Sequence, residues 1–269
     1  MKKRTLKGLE IVFVSLFLIV ILIWQQGLLE KEVFLNLKKI LWGTVYIAII
    51  IGFIFIFSKV RNHALLKTVT KSCRGTKSER DLVLKLLKHR IPAENLFHDL
   101  YIEKQNGEYS QIDLVALTSV GVVVFEVKDF SGWIYGNGSN SQWTKVLAYG
   151  KNKYRFYNPI MQNSKHIQSL RKHIEHLSQL PFYSIVVFYG NCTLKEVSFV
   201  PKGTYLVKAK RVLEVMKILE KENEPVYYKN KSEIIWALRK AVLNGENRDI
   251  QKQHIENIND MLGKDRIFE

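Results

Sequence analysis

Asp113, Glu126 and Lys128 are residues of this chain whose types and spacing are capable of chemistry together. They fall in two strand-like runs, Ser110–Leu117 and Val122–Lys128, joined by a tight turn around Ser119-Val120. With the turn centred between those two residues, Thr118 faces Gly121, Asp113 faces Glu126 and Gln111 faces Lys128. The two-residue period of strands then projects Gln111, Asp113, Glu126 and Lys128 from one face. Directly opposed side chains have Cβ atoms about 5 Å apart, and like charges placed so destabilise the pair. A hard divalent cation removes that cost, and Mg²⁺ is commonly held by one or two carboxylates with phosphate oxygens and waters. Lys128, on the same face, would orient or help deprotonate a metal-bound water. A surface hairpin with solvated charges explains the same pattern, and a one-residue slip in register would separate the carboxylates.

The elements that must position these groups are legible around them. Thr76 is a candidate N-cap with Glu79 at capping-box spacing, and Leu82, Val83, Leu86 and Leu87 form the apolar stripe of a helix that ends at Ile91-Pro92. Phe97–Glu103 reads as a strand before a turn at Gln105-Asn106-Gly107. The glycine-rich stretch Ser131–Gly138 fits a hairpin, since no helix follows it at once as a phosphate loop requires. Trp143–Tyr157 reads as another hairpin, turning near Gly150-Lys151-Asn152, and Asn158-Pro159 opens a helix to about Ser178. Strands follow at Ser184–Tyr189, Val197–Val200 and Thr204–Val207, then helices at about Ala209–Lys221 and Lys231–Asn244, and a polar tail that reads as a loose helix. This order predicts an α/β fold, a mixed sheet flanked by helices.

Asp113…Glu126-Val127-Lys128 resembles the PD-(D/E)xK signature of restriction-endonuclease-like nucleases. From about Gly75 to Leu177 the chain more closely resembles the NERD (nuclease-related) domain. The matching pieces are Gly75-x-x-Ser78-Glu79, Gln111-Ile112-Asp113, Gly121 through Lys128, Ser131-Gly132, Trp143, and Asn158-Pro159-x-x-Gln162-x-x-x-His166. The resemblance implies a restriction-endonuclease-like fold and a Mg²⁺- or Mn²⁺-dependent nuclease acting on DNA. It implies that Asp113 and Glu126 are metal ligands with the Val127 carbonyl as a third, that Lys128 is the catalytic lysine, and that Glu79 is an auxiliary carboxylate. Gln162 and His166, one helical turn apart, would face the same cleft, and with Gln111 would meet substrate. Two positions depart from the family pattern: Leu114 stands where histidine is common, and Asp129 follows the lysine where asparagine is usual.

The rest of the chain says where such a domain would work. Ile11–Leu29 and Ile40–Ser58 are free of charge and close to the ~20 residues that cross a bilayer. The first also resembles a signal peptide, with Lys2, Lys3, Arg4 and Lys7 ahead of it, but it is long for one and lacks a small-x-small cleavage site. Two transmembrane helices at about 9–29 and 40–58 are therefore expected, then a basic linker over 59–74, a nuclease-like core over 75–180 and completing elements over 181–269. Basic residues before the first run and after the second place both termini in the cytosol. Residues 59–269 hold 34 of the 41 Lys and Arg and 22 of the 25 Asp and Glu, a net charge of +12. That surplus suits a polyanion, either nucleic acid or an anionic leaflet. Cys73 and Cys192 make neither a disulfide framework nor a metal-ligand pair. His166, His173 and His176 share a helix but lack a ligand partner at zinc spacing. Tyr149, Tyr154, Phe156 and Tyr157 alternate with Lys151, Lys153 and Arg155, a pattern of nucleic-acid surfaces or, as favoured here, of a half-buried hairpin.

Overall fold

The computed structural model of the chain describes residues 31–104, 106–147, 150–175 and 179–262, together with Ile19 and Ile21. Two compact units divide it, Met1–Arg61 and Asn62–Glu269. Helix α1 (Lys31–Lys67) carries the second apolar run without a break. Its stretch Leu35–Lys67 reaches a mean hydropathy of 2.6 with nothing buried, enough by length and composition to cross a membrane. It is the one such helix among the described residues. The first apolar run lies outside them apart from Ile19 and Ile21, so the two-helix hairpin expected from sequence is not seen. The expected linker is helical as far as Lys67, because no glycine or proline interrupts it before Thr68.

The second unit is the α/β fold expected, built on two sheets rather than one. The larger has strand order β1 (Leu96–Glu103), β2 (Tyr109–Thr118), β3 (Gly121–Asp129), β7 (Phe182–Tyr189), β9 (Thr204–Lys208). Its first three strands are antiparallel neighbours; β7 and β9 are parallel to β3. The smaller sheet runs β6 (Asn152–Tyr157), β5 (Gln142–Leu147), β4 (Gly132–Asn137), β8 (Cys192–Ser198). The strand expected at Val197–Val200 is the end of this longer β8, which stops at Phe199 with φ 53. Helices α2 (Lys77–Lys88), α3 (Pro159–Ile174), α4 (Val212–Glu222), α5 (Lys231–Asn244) and α6 (Arg248–Leu262) complete the unit.

The large sheet is buried on both faces, as its near-continuous apolar strands require. Along β3, Val123 and Phe125 enter a core with α2 and α4, whereas Val122 and Val124 enter a second core with α3 and α5. The smaller sheet has its own core, in which Ile134 and Trp143 meet Ile160, Val186 and Phe188. A Cβ at Gly136 would run into the Trp143 ring, so only glycine lets β4 pass beneath the indole.

Arg74, between α1 and α2, ties the unit together from within. Its guanidinium donates to the Asp99 carboxylate (3.0 Å), the Asp99 carbonyl (2.6 Å) and the Val242 carbonyl at the end of α5 (2.9 Å). Arg74 and Asp99 side chains are only 9% and 7% exposed, so removing one leaves a buried charge unpaired. Arg74→Ala should cost about 3–5 kcal/mol in chemical denaturation, and adding Asp99→Asn should restore part of it. A loss within the ~0.5 kcal/mol of an ordinary surface change would refute this role.

Candidate active site

The site lies where β2 and β3 part company. From the turn upward the ladder pairs Thr118 with Gly121, Leu117 with Val122, Ala116 with Val123, Val115 with Val124 and Leu114 with Phe125, the register read from the sequence. Pairing stops there, and Asp113 does not pair with Glu126 across the ladder. Ile112 lies in the core of α3 and α5, yet Leu114, two residues on, lies in the core of α2 and α4. The alternation of faces is therefore lost at Asp113. The same break occurs on β1, where Phe97 and Leu100 share one core and Asp99, between the paired residues His98 and Leu100, takes φ 58. Two aspartates side by side are thus skipped by the ladder. Asp113 Oδ2 accepts the Val127 N–H at 2.7 Å, a backbone donor that continued pairing would have consumed.

Glu126 is 1% exposed and shares the face of Val122 and Val124, beneath α3. Lys128 Nζ lies 2.6 Å from Glu126 Oε1 and donates to Gln162 Oε1 on α3 at 2.9 Å. His166, one turn further along α3, brings Nδ1 to 3.4 Å from Glu126 Oε2, and neither of those two atoms makes a hydrogen bond among the described residues. Glu79 approaches from α2. Its Oε1 accepts the Thr76 hydroxyl at 2.7 Å, and its Oε2 lies 3.3 Å from His98 Nε2. Gly75 has φ +59, and a Cβ there would strike both the Glu79 carboxylate and the His98 ring, which accounts for glycine at the head of this motif.

Gln162, Lys128, Glu126 and His166 thus form a chain of contacts, and Asp113 is fastened to the Val127 N–H. Gln111 is not brought into this group. Beyond Leu114 its strand pairs only with β1, and its amide donates to Asp99 Oδ1 at 2.8 Å. Leu114 is fully buried, and Asp129 accepts the Ser78 hydroxyl, so both departures from the family pattern have local partners. Sequence reasoning missed His98, which joins Glu79 on one side to the Thr70 hydroxyl on the other (2.8 Å), and it missed the Arg74–Asp99 pair. The signal was present: His98-Asp99 is a polar pair inside the apolar run Leu96–Ile102.

The electrostatics follow from burial. Burial raises Asp113 well above the usual carboxylate range, the Glu126 and Glu79 charges raise it further, and the Val127 N–H and Lys128 oppose the shift. Burial also raises Glu126 against the pull of Lys128. Burial opposes ionisation of Glu79 too, but hydrogen bonds from His98 and Thr76 prevail and its pKa is lowered. Burial and the Lys128 charge push His166 down to about 3, so its ring is neutral near pH 7.

An α/β unit with a buried and a half-buried acid, a lysine and a polar helix face at the splitting end of its central strand pair is the class that fold and site define. Residues 74–189 match the nuclease-related domain (NERD) family, and the chain carries that domain. It is also 27% identical over 206 residues to an uncharacterized protein of Bacillus anthracis, covering 75% of this chain and 92% of that one. No solved structure matches it significantly.

The acid pair has a cost that can be measured without catalysis. Asp113 protonates more readily folded than unfolded, so its ionisation at neutral pH destabilises the fold and protonation relieves it as pH falls. In EDTA at neutral pH, Asp113→Asn should melt higher than wild type, by about 2–4 °C per kcal/mol relieved. The gap should close as pH falls into the range where wild-type Asp113 takes up its proton. A variant that melts lower at neutral pH would show that the Val127 hydrogen bond outweighs the repulsion.

Proposed function

We propose that this chain is a membrane-anchored, cytosol-facing, Mg²⁺-dependent nuclease that hydrolyses DNA phosphodiester bonds. The observation that carries the reading is the Asp113–Glu126 pair: a half-buried and a fully buried carboxylate held above their usual pKa, with Glu126 Oε2 accepting no hydrogen bond among the described residues. A fold gains no stability from such a pair, whereas a divalent cation makes use of it. Among the described residues no three His, Cys, Asp or Glu side chains are already gathered as a ligand set. The donor chemistry nevertheless fits Mg²⁺, which needs only one or two carboxylates from the protein and completes its shell with water and phosphate. Asp113 and Glu126 would hold it, with the Val127 carbonyl as a third oxygen. In an extended strand a residue's N–H and C=O point the same way, so this carbonyl faces the gap beside Asp113.

When bound, the cation supplies a Lewis acid and an activated water. The chain's own groups do the rest. Lys128 is held between Glu126 and Gln162, from where its ammonium can face a phosphate oxygen or move a proton. Neutral His166 offers a hydrogen bond without adding charge. Glu79, ionised and fixed by His98 and Thr76, adds negative potential that favours a cation over a lone proton. The nuclease-related family supports this reading, and helix α1 supports the anchor. A non-catalytic module that binds nucleic acid or a protein partner is the alternative, and it leaves the unpartnered Glu126 Oε2 without a use.

The test is plasmid cleavage by the full chain in detergent, with and without Mg²⁺ or Mn²⁺. Wild type should cleave only with metal. Asp113→Asn should lower the rate by roughly 10²-fold or more, on the scale of losing one preorganised electrostatic partner, with DNA binding kept or tightened. Lys128→Ala should also abolish cleavage while Mg²⁺ still raises the melting temperature. Wild-type cleavage that survives Asp113→Asn unchanged would remove the assignment. Orientation is tested separately: a reporter after Glu269 should read cytosolic and one near Asn36 external, and cytosolic labelling at Asn36 would exclude the anchor topology.

A further inference from the structure

From Phe130 through Ile174 the sequence has seven Lys or Arg and no Asp or Glu. This stretch is the smaller sheet's hairpins, which stand between Lys128 and α3, together with α3 itself, the helix bearing Gln162 and His166. The half-buried hairpin favoured from sequence is only half of what is seen. Trp143 and Val146 on β5 are buried, but β6 is an edge strand exposed almost throughout, with Tyr154 51% and Tyr157 39% exposed. Pairing of Thr144 with Arg155, Val146 with Lys153 and Gln142 with Tyr157 puts Lys153, Arg155 and Tyr157 on one face of the sheet.

Basic residues elsewhere on this unit are often neutralised on the spot, as in Lys85–Asp81, Lys104–Glu108, Arg211–Glu214 and Lys252–Glu256. Lys153, Arg155 and Lys165 have no carboxylate partner among the described residues. Lys165 meets an aromatic ring instead, its Nζ 4.9 Å from the Tyr157 ring centre, and on β8 Lys195 Nζ lies 5.3 Å from that of Trp133. Beside Arg155 an open cleft of about 620 Å³ is lined by polar groups including Asn140, Gln142 and Thr144. The Asn158 amide, donating to the carbonyls of Asn137, Gly138 and Asn140 while its own oxygen caps α3, locks this sheet to the helix that reaches Lys128.

We infer that the outer face of the small sheet, centred on Lys153, Arg155, Tyr157 and Lys165, is a nucleic-acid docking surface that tracks the phosphate backbone beside the Asp113–Glu126 site. Unpaired cations interleaved with exposed aromatic rings recognise a charged backbone and the π-faces of bases without reading sequence. The one carboxylate exposed on this sheet, Glu196, stands on β8 at its far edge from β6. The inference rests on the nucleic-acid part of the proposed function and not on cleavage.

The experiment measures binding of a fluorescent DNA duplex to the full chain in detergent, without divalent metal, across a salt series. Lys153→Ala/Arg155→Ala should weaken binding on the order of tenfold at physiological salt. It should also reduce the slope of log affinity against log salt by about 1.8, two phosphate contacts at ~0.9 each. Lys217→Ala/Lys221→Ala removes the same charge from α4 and should leave the slope unchanged. An unchanged slope in the first variant, or an equal loss in the second, overturns the inference. So does protection of Lys153 and Lys165 from acetylation by phosphatidylglycerol nanodiscs without DNA, combined with an unchanged slope, which would assign the face to the bilayer. Binding through this face without any cleavage would sink the nuclease reading alone. Cleavage with binding untouched by the first variant would sink this inference alone.

Discussion

Much in this domain depends on two aspartates that a regular sheet would have no place for. Asp99 and Asp113 stand side by side on β1 and β2, and neither is paired in the ladder. A buried carboxylate needs donors, and each takes them from outside the regular pairing: Asp99 from Arg74 and Gln111, Asp113 from the Val127 N–H. The consequence is a local loss of alternation that ends the β2–β3 ladder at Leu114 and Phe125. That ending leaves a notch in the ladder beside Asp113, with Glu79 on α2 held by Thr76 and His98, and with Gln162 and His166 on α3 meeting Lys128 and Glu126. A regular hairpin would have displayed its acids on one face, open to one layer only.

Most of the elements that make this possible were legible in the sequence, and the reason is local. The capping box at Thr76 and Glu79, the tight turn that sets Thr118 against Gly121, and the proline-opened α3 are each decided within a few residues. The register was right for every pair formed, from Thr118–Gly121 to Leu114–Phe125. It failed at Asp113 because the period-2 rule presumes an unbroken ladder, and the break is caused by a third strand. Nothing in Ser110–Lys128 announces that Asp99 will be left-handed. His98 was missed for a similar reason, since its importance lies in joining Thr70 to Glu79, residues far from one another in sequence. The exposure of β6 was likewise undecidable from composition: tyrosine and lysine alternate equally well at a wet edge and over a core.

The polar groups behind the acids form a scaffold with few free atoms. Thr70, His98, Glu79 and Thr76 make one connected chain of contacts, while Arg74, Asp99, Gln111 and the Val242 carbonyl make another. Both run from the segment between α1 and α2 into β1, so the residues that follow the apolar helix are built into the support of the site. Such networks fix side chains in single positions when every member is satisfied. Against that background Glu126 Oε2 and His166 Nδ1, with Asn163 Oδ1 on the same helix, are buried polar atoms that make no hydrogen bond among the described residues.

Charge is distributed on two length scales that serve opposite ends. Around the notch, the Glu126 and Glu79 charges oppose ionisation of Asp113 in a poorly solvated space, where Coulomb energies are several-fold larger than in water. Outside it, the stretch from Phe130 to Ile174 presents cations and holds no acid of its own. Exposed charges are screened beyond roughly 8–10 Å in physiological salt, so on the proposed reading the cations would guide a polyanion along the surface without erasing the negative potential inside. A phosphate drawn to the sheet would still meet repulsion at the bare notch, and only a cation seated between the acids would reverse it. Approach and chemistry would then be separately controlled: the basic face holds the strand at any metal concentration, and the acid pair admits the phosphate only once metal has neutralised it.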